Sequence, residues 1–168
     1  MSYKFHHVAD WADFLRKTQY KRPLPLVAFP AIQGLYIDMN ELVHDSTQQA
    51  MGIKLIADRF KLPVALGYMD LSVEAEAFGS TAHYAVPTIT GSIVSTEEEA
   101  DALQIPEVGA GRTGVNIEGV RKALKIIKDK PVLAQCIGPF SLAGRLLDVN
   151  DAMIYCYEEP DMVHTVLE

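Results

Sequence analysis

Two runs of this chain are almost wholly apolar, and helical patterns lie between them. They are Val64-Ala65-Leu66-Gly67-Tyr68-Met69 and Pro131-Val132-Leu133-Ala134-Gln135-Cys136-Ile137. A strand with one wet face alternates apolar and polar residues. A strand that reads as a continuous apolar run is buried on both faces, as in a parallel sheet covered by helices. A third run, Leu24 to Phe29, is bounded by prolines and predicts another buried strand. The chain therefore reads as α/β. Its 168 residues read as one domain, with residues 1–22 as an amino-terminal extension. Trp11, Phe14 and Leu15 form one helical face within that extension.

Between the runs, Ala50, Ile53, Ala57 and Phe60 predict a helix over Ser46 to Phe60, with Asp45 or Ser46 as its cap. Leu71 to Gly79 turns helical, and His83 to Ser95 reads as an irregular or hairpin excursion. Ser95-Thr96-Glu97-Glu98 is a capping box for a short surface helix, Thr96 to Leu103. Asn116 is a cap for a helix through Val120, Leu124 and Ile127. Helices over Ser141–Leu147 and Asp151–Glu158 follow, and a last one opens at Pro160. Its apolar stripe is still running at Leu167, so the α/β pattern reads as unfinished.

Composition removes several classes of function. Fifteen Lys and Arg against 22 Asp and Glu give a formal charge of −7. That is the wrong sign for a general nucleic-acid or anionic-membrane binder. No apolar run reaches the roughly 18–20 residues of a membrane helix, and no signal-peptide core opens the chain, which predicts a cytoplasmic protein. Cys136 and Cys156 read as two buried thiols in a reducing compartment. The five histidines, His6, His7, His44, His83 and His164, show no zinc-ligand spacing, so no metal site is expected. Gly109 to Gly114 matches GxGxxG, but no buried strand leads into it. It reads as a flexible loop before the Asn116 helix.

The residues after the apolar runs carry the chemistry. Asp70 follows the run at 64–69, where a strand fixes the position of a side chain and the next loop opens to substrate. If a helix starts at Leu71, Glu74 shares a face with Asp70 and Glu76 turns away. The plainer alternative is that Asp70 caps this helix and both glutamates are solvated. Gly138-Pro139 forces a sharp exit from the run at 131–137 and places Phe140, Ser141 and Arg145 at the same rim. Here too a tight, Ser141-capped turn is the plainer reading.

Tyr68 to Gly79 (YMDLSVEAEAFG) and Lys130 to Glu168 (KPVLAQCIGPFSLAGRLLDVNDAMIYCYEEPDMVHTVLE) together resemble the uroporphyrinogen decarboxylase superfamily. The likeness extends from about Arg22 and is nearest to the methylcobamide:coenzyme M methyltransferases. Such proteins are (β/α)8 barrels of typically ~250 residues. The resemblance thus implies the amino-terminal part of a barrel, incomplete in this chain. It also implies either a missing carboxyl-terminal half or a homo-oligomer, because a half barrel leaves a sheet edge and an apolar face uncovered.

The decarboxylases of this superfamily hold a polycarboxylate tetrapyrrole through arginines after the first strand. The corresponding run here, Phe29 to Tyr36, has no Lys or Arg, and none occurs between Arg22 and Lys54. Arg145 stands where the family has a tyrosine, whereas Asp70 matches the aspartate that holds the pyrrole N–H groups. The resemblance therefore favours methyl transfer: a zinc ion activates a thiol acceptor, which takes a methyl group from a corrinoid carried by a partner protein. It implies Asp70 as catalytic residue and Gln33, Tyr36, Glu74, Phe140 and Arg145 as substrate-binding residues. Arg145 suits an anionic acceptor such as a sulfonate. The zinc ligands of such enzymes include an HxC pair absent from this sequence, so no cofactor is expected on this chain itself. The alternatives are a uroporphyrinogen decarboxylase and a non-catalytic interaction module docking on a corrinoid protein.

Overall fold

The structure, a computed structural model, describes residues 8–19, 23–27, 29–83 and 89–168. In chain order it contains α1 (Val8–Lys17), α2 (Pro30–Leu35), α3 (Met39–His44), α4 (Ser46–Arg59), β1 (Ala65–Leu66), α5 (Val73–Ala77) and β2 (Ala82–His83). There follow β3 (Ile89–Thr90), α6 (Glu97–Asp101), α7 (Arg112–Ile126), β4 (Val132–Leu133), α8 (Pro139–Leu146), α9 (Val149–Glu158) and α10 (Pro160–Leu167). The chain forms two compact units, residues 1–69 with 115–135 and residues 70–114 with 136–168.

The first unit is built on the two apolar runs. β1 and β4 pair in parallel, Ala65 opposite Val132 and Leu66 opposite Leu133. Ladder bonds of 2.8 Å from Ala65 N–H to Pro131 O and from Gly67 N–H to Leu133 O extend the pairing. On this pair pack α4, through buried Ile53, Ile56 and Ala57, and α7, through Ala123, with Ile127 just beyond its end in the same buried cluster. Asp45 caps α4 by accepting the Thr47 and Gln48 N–H groups at 2.6 and 3.3 Å. Helix α2 lies close against α4 because residue 52 is glycine. A Cβ there would sit 2.9 Å from Ala31 Cβ and 2.8 Å from the Tyr68 hydroxyl. Helices α2 and α3 were not expected from the sequence. Pro30 opens the first, and a capping box of Asp38 and Glu41 opens the second. Each has six residues, too few for an apolar period to show.

Three expectations for this unit are corrected. The run at 131–137 is not buried on both faces: Val132 and Leu133 of β4 are half-buried and Ala134 is exposed, because among the described residues β4 pairs with β1 alone. Residues 23–27 are exposed and irregular rather than a buried strand; Ala28 lies outside the described residues. Pro23 and Pro25 supply no N–H for a ladder, and Val27 N–H turns back to Pro25 O at 3.1 Å. Helix α7 starts at Arg112 rather than after Asn116. Asn116 instead accepts a 2.8 Å bond from Gln49 Nε2, joining α7 to α4.

In the second unit, α8 packs against α5, α9 and α10, and α10 also meets α6 and α9. Val94, Ala143, Leu146, Leu147, Met162 and Val163 form its buried core. The expected hairpin is present as antiparallel β2 and β3, with Ala82 opposite Thr90; residues 84–88 lie outside the described ones. Ile93 and Val94 then both donate to Leu146 O, at 2.8 and 3.0 Å, tying this excursion to α8. Helix α6 is capped by Thr96, one residue later than the expected box. Thr96 Oγ1 accepts from Glu99 N–H at 3.3 Å, and Glu99 reaches back to Ser95 N–H at 2.7 Å.

Both thiols are exposed, contrary to the expectation of burial. Cys136 lies beyond the paired part of β4, and Cys156 shares the exposed side of α9 with Met153 and Tyr157. An apolar neighbourhood in sequence is not burial when a helix keeps one side in water. Among the described residues, no helix is long and apolar enough to cross a membrane.

Candidate functional site

Asp70 leaves the run that contains β1 and lies buried, at 8% exposure. The chain does not enter a helix at once. Leu71 and Ser72 make a turn in which Asp70 Oδ1 accepts the Ser72 N–H at 3.0 Å and the Ser72 hydroxyl at 2.6 Å. Helix α5 starts only at Val73. That shift changes which glutamate joins the cluster around Asp70.

Arg112 completes the cluster. Its side chain is 4% exposed, and Nη1 donates to Asp70 Oδ2 at 2.7 Å. Nη2 donates to the Ser72 hydroxyl at 2.8 Å, and Nε donates to Glu76 Oε2 at 2.5 Å. The glycine motif delivers this guanidinium. Gly109 and Gly111 take φ of 95° and 54°, the left-handed region glycine tolerates best. A Cβ on Gly114 would lie 2.7 Å from Gly109 O, so the third glycine lets the turn close on itself. The loop expected there is a built turn, and Arg112 is the first residue of the helix it starts.

Electrostatics follow from this packing. Burial pushes the Asp70 carboxyl up, but the bonds from Ser72 and Arg112 and the adjacent positive charge outweigh it and hold it below the ordinary aspartate value. Burial also works against the Arg112 charge, and bonding to Asp70 and Glu76 outweighs that in turn. Asp70 is therefore a fixed anion at neutral pH and not a proton donor. A buried arginine facing two carboxylates is tolerated only when its donors are satisfied, and here three of its nitrogens are.

The remaining predicted residues fall in several places. Glu74 does not join Asp70. Its Oε1 accepts from Ile137 N–H at 3.2 Å, tethering the segment just before Gly138-Pro139. Phe140 is exposed on the first turn of α8, and Arg145 is half-buried near the end of that helix. Gln33 and Tyr36 belong to the first unit, both exposed at the end of α2; Tyr36 caps this helix at a left-handed φ of 58°. The two strand-end segments of the second unit thus come together, as α5 against α8. Ser72, Glu76 and Arg112 were missed by sequence reasoning. The signal for Arg112 was a lone cation inside a glycine turn, and nothing local links it to an aspartate 42 residues away. Among the described residues, no three His, Cys, Asp or Glu side chains gather as a metal site.

Comparison with known proteins places these features. A methyltransferase from Methanosarcina mazei has a similar fold, with a TM-score of 0.72 at 17% identity, over 82% of this chain and 42% of that one. The chain therefore spans less than half the length of that methyltransferase. None of the curated proteins matches it in sequence. The model of the family described as uroporphyrinogen decarboxylase (URO-D) matches residues 31–168, a stretch that takes in the Asp70 turn, Arg112 and the Gly138-Pro139 exit. The chain belongs to the uroporphyrinogen decarboxylase family.

Proposed function

We propose that this chain is part of a zinc-dependent corrinoid:thiol methyltransferase of the methylcobamide:coenzyme M type. In this reading it folds as the amino-terminal portion of a (β/α)8 barrel and works in the cytoplasm with a corrinoid protein as partner. One observation carries the choice over tetrapyrrole decarboxylation: both oxygens of Asp70 are already taken, by Ser72 and by Arg112. A carboxylate that must collect several pyrrole N–H groups needs those lone pairs free. The absence of Lys and Arg from Phe29 to Tyr36 agrees, since a polycarboxylate would find no bidentate donor there.

Zinc activates the acceptor thiol in such enzymes. The described residues of this chain gather no ligand set for it, so in this reading the ligands come from elsewhere in the enzyme and no step is derived through the metal. The chain's own contribution is positional. Asp70, Ser72 and Arg112 fix the turn after β1, Glu74 fixes the exit from β4, and Arg145 pairs with the anionic end of the acceptor. The exposed apolar residues of α9 (Val149, Met153, Ile154 and Tyr157) suit a covered face, in a second copy or in the rest of a barrel.

The test is to incubate the intact enzyme that contains this chain with zinc, methylcobalamin and 2-mercaptoethanesulfonate and follow loss of the methylcobalamin absorbance. Formation of the methyl thioether is expected. Conversion of uroporphyrinogen to coproporphyrinogen, or failure to methylate any thiol, overturns the reading. In the active protein, Arg145→Ala is expected to raise the KM for the sulfonate thiol about tenfold, the loss of one charged hydrogen bond, with kcat little changed.

A further inference from the structure

An arginine and a carboxylate commonly close as a fork, two guanidinium nitrogens on two carboxylate oxygens. Arg112 and Asp70, both in the second unit, do not. Asp70 Oδ2 accepts from Nη1 at 2.7 Å, while Oδ1 accepts from the Ser72 N–H and hydroxyl at 3.0 and 2.6 Å. A fork needs Nη2 together with either Nη1 or Nε, and the start of α5 engages both Nη2 and Nε. Nη2 donates to the Ser72 hydroxyl at 2.8 Å, and Nε to Glu76 Oε2 at 2.5 Å. Ser72 and Glu76 stand one helical turn apart, joined by a 2.8 Å bond from Glu76 N–H to Ser72 O. Residues at that spacing share a face, so both side chains reach the same guanidinium.

We propose that Glu76 is a positioning residue for Asp70, acting through Arg112. By accepting from Nε it closes the side-on fork, so the arginine meets Asp70 through Nη1 and Oδ1 is left to Ser72. The Ser72 hydroxyl accepts from Nη2 and therefore turns its own proton toward Oδ1. The carboxylate is thus held from two sides, its plane set by Ser72 and Arg112 together. With the acceptor at residue 76 withdrawn, Nε and Nη2 turn onto Asp70 as a pair, and the carboxylate rotates off Ser72. Residue 76 must therefore supply an acceptor at the right reach, not merely a charge. Asp there ends one CH₂ short, whereas Gln reaches equally far and still accepts. The effect on turnover rests on the methyl-transfer reading; the geometry does not.

The test compares Glu76→Asp with Glu76→Gln in the intact enzyme that contains this chain. Aspartate carboxyl carbons are isotope-labelled, and the NMR signal of Asp70 is identified by its loss in Asp70→Asn. In Glu76→Asp that signal is expected to shift, and kcat for methyl transfer to fall about tenfold with the KM for the thiol changed less than about twofold. Glu76→Gln is expected to recover most of both. A residue that only stabilised the fold would lower the amount of folded protein and leave the signal and kcat per folded molecule alone. An unmoved signal in Glu76→Asp, an equal shift in Glu76→Gln, or an unchanged kcat in Glu76→Asp overturns the inference. An inactive wild-type enzyme instead overturns the methyl-transfer reading, and the signals of the two variants still decide the role of Glu76.

Discussion

The two units handle charge in opposite ways. In the first, Lys54 and Lys130 meet Asp58 at 2.6 and 3.0 Å at the surface, where Asp58 is 45% exposed. Its core is apolar and its helices approach through small residues such as Ala31 and Gly52. In the second, Arg112 and Asp70 form an ion pair with side chains 4% and 5% exposed. Surface pairs contribute little, because water competes for both partners. Buried pairs cost desolvation and hold only when every donor and acceptor is placed. The second unit therefore depends on one geometry being complete, whereas the first depends on volume being filled. That completeness lies at the turn after the apolar run.

The sharpest way to break the contrast is Arg112→Met. It leaves Asp70 buried without its cation and is expected to cost about 3–5 kcal/mol, read by urea denaturation. Asp70→Asn comes next, at about 1.5–3 kcal/mol near neutral pH, since it weakens charged hydrogen bonds but keeps the shape. Its pH dependence is diagnostic. The folded carboxyl lies below its ordinary value of 3.8, so acid protonates the unfolded chain first. The stabilisation from Asp70 is complete above that value and is lost as pH falls through the lower, folded one. The gap between wild type and Asp70→Asn should therefore close on acidification from about pH 4 downward. A gap that stays constant would mean the carboxylate charge contributes nothing.

The first unit should respond to volume instead. Gly52→Ala gains about 1 kcal/mol of helix propensity but overpacks a contact that costs about 1–3 kcal/mol, so a net loss of roughly 1 kcal/mol is expected. It should carry no pH dependence. The smallest effects concern two aspartate caps. Asp45 caps α4 from an extended backbone with φ of −114°, and Asp45→Ala should cost about 1 kcal/mol. Asp148 caps α9 at φ of 76°, a left-handed value strained for any residue but glycine. Asp148→Gly should thus be near neutral, because strain relief offsets the lost cap. Thermal melting of the two variants side by side checks the pair.

Much of the fold was legible because it is local. The Asp45 cap, the helix over Ser46–Arg59, the hairpin after His83 and the Pro160 start all follow from contacts within a few residues. The boundaries that failed are those set from outside the segment. Asn116 looked like a cap, yet its partner is Gln49 on another helix. Leu24–Phe29 looked like a strand because its residues are apolar, but residues 23–27 pair with no strand, and two prolines withhold the donors. The expected pairing of Asp70 with Glu74 rested on helical phase counted from Leu71. A two-residue turn moved the start of α5 and turned Glu76 toward Arg112 instead.

The amino-acid sequence by itself determined that two apolar runs would pair side by side, that helices would pack on them, and that an aspartate would stand where one of them ends. Periodicity and burial act residue by residue along the chain, so these could be read. Only the tertiary structure decided that Asp70 would be held by Arg112, that Glu74 would tether Ile137, and that Glu76 would take another nitrogen of the same arginine. Each of these depends on groups distant in sequence meeting at hydrogen-bond range, and that distance is set by packing rather than by any local pattern.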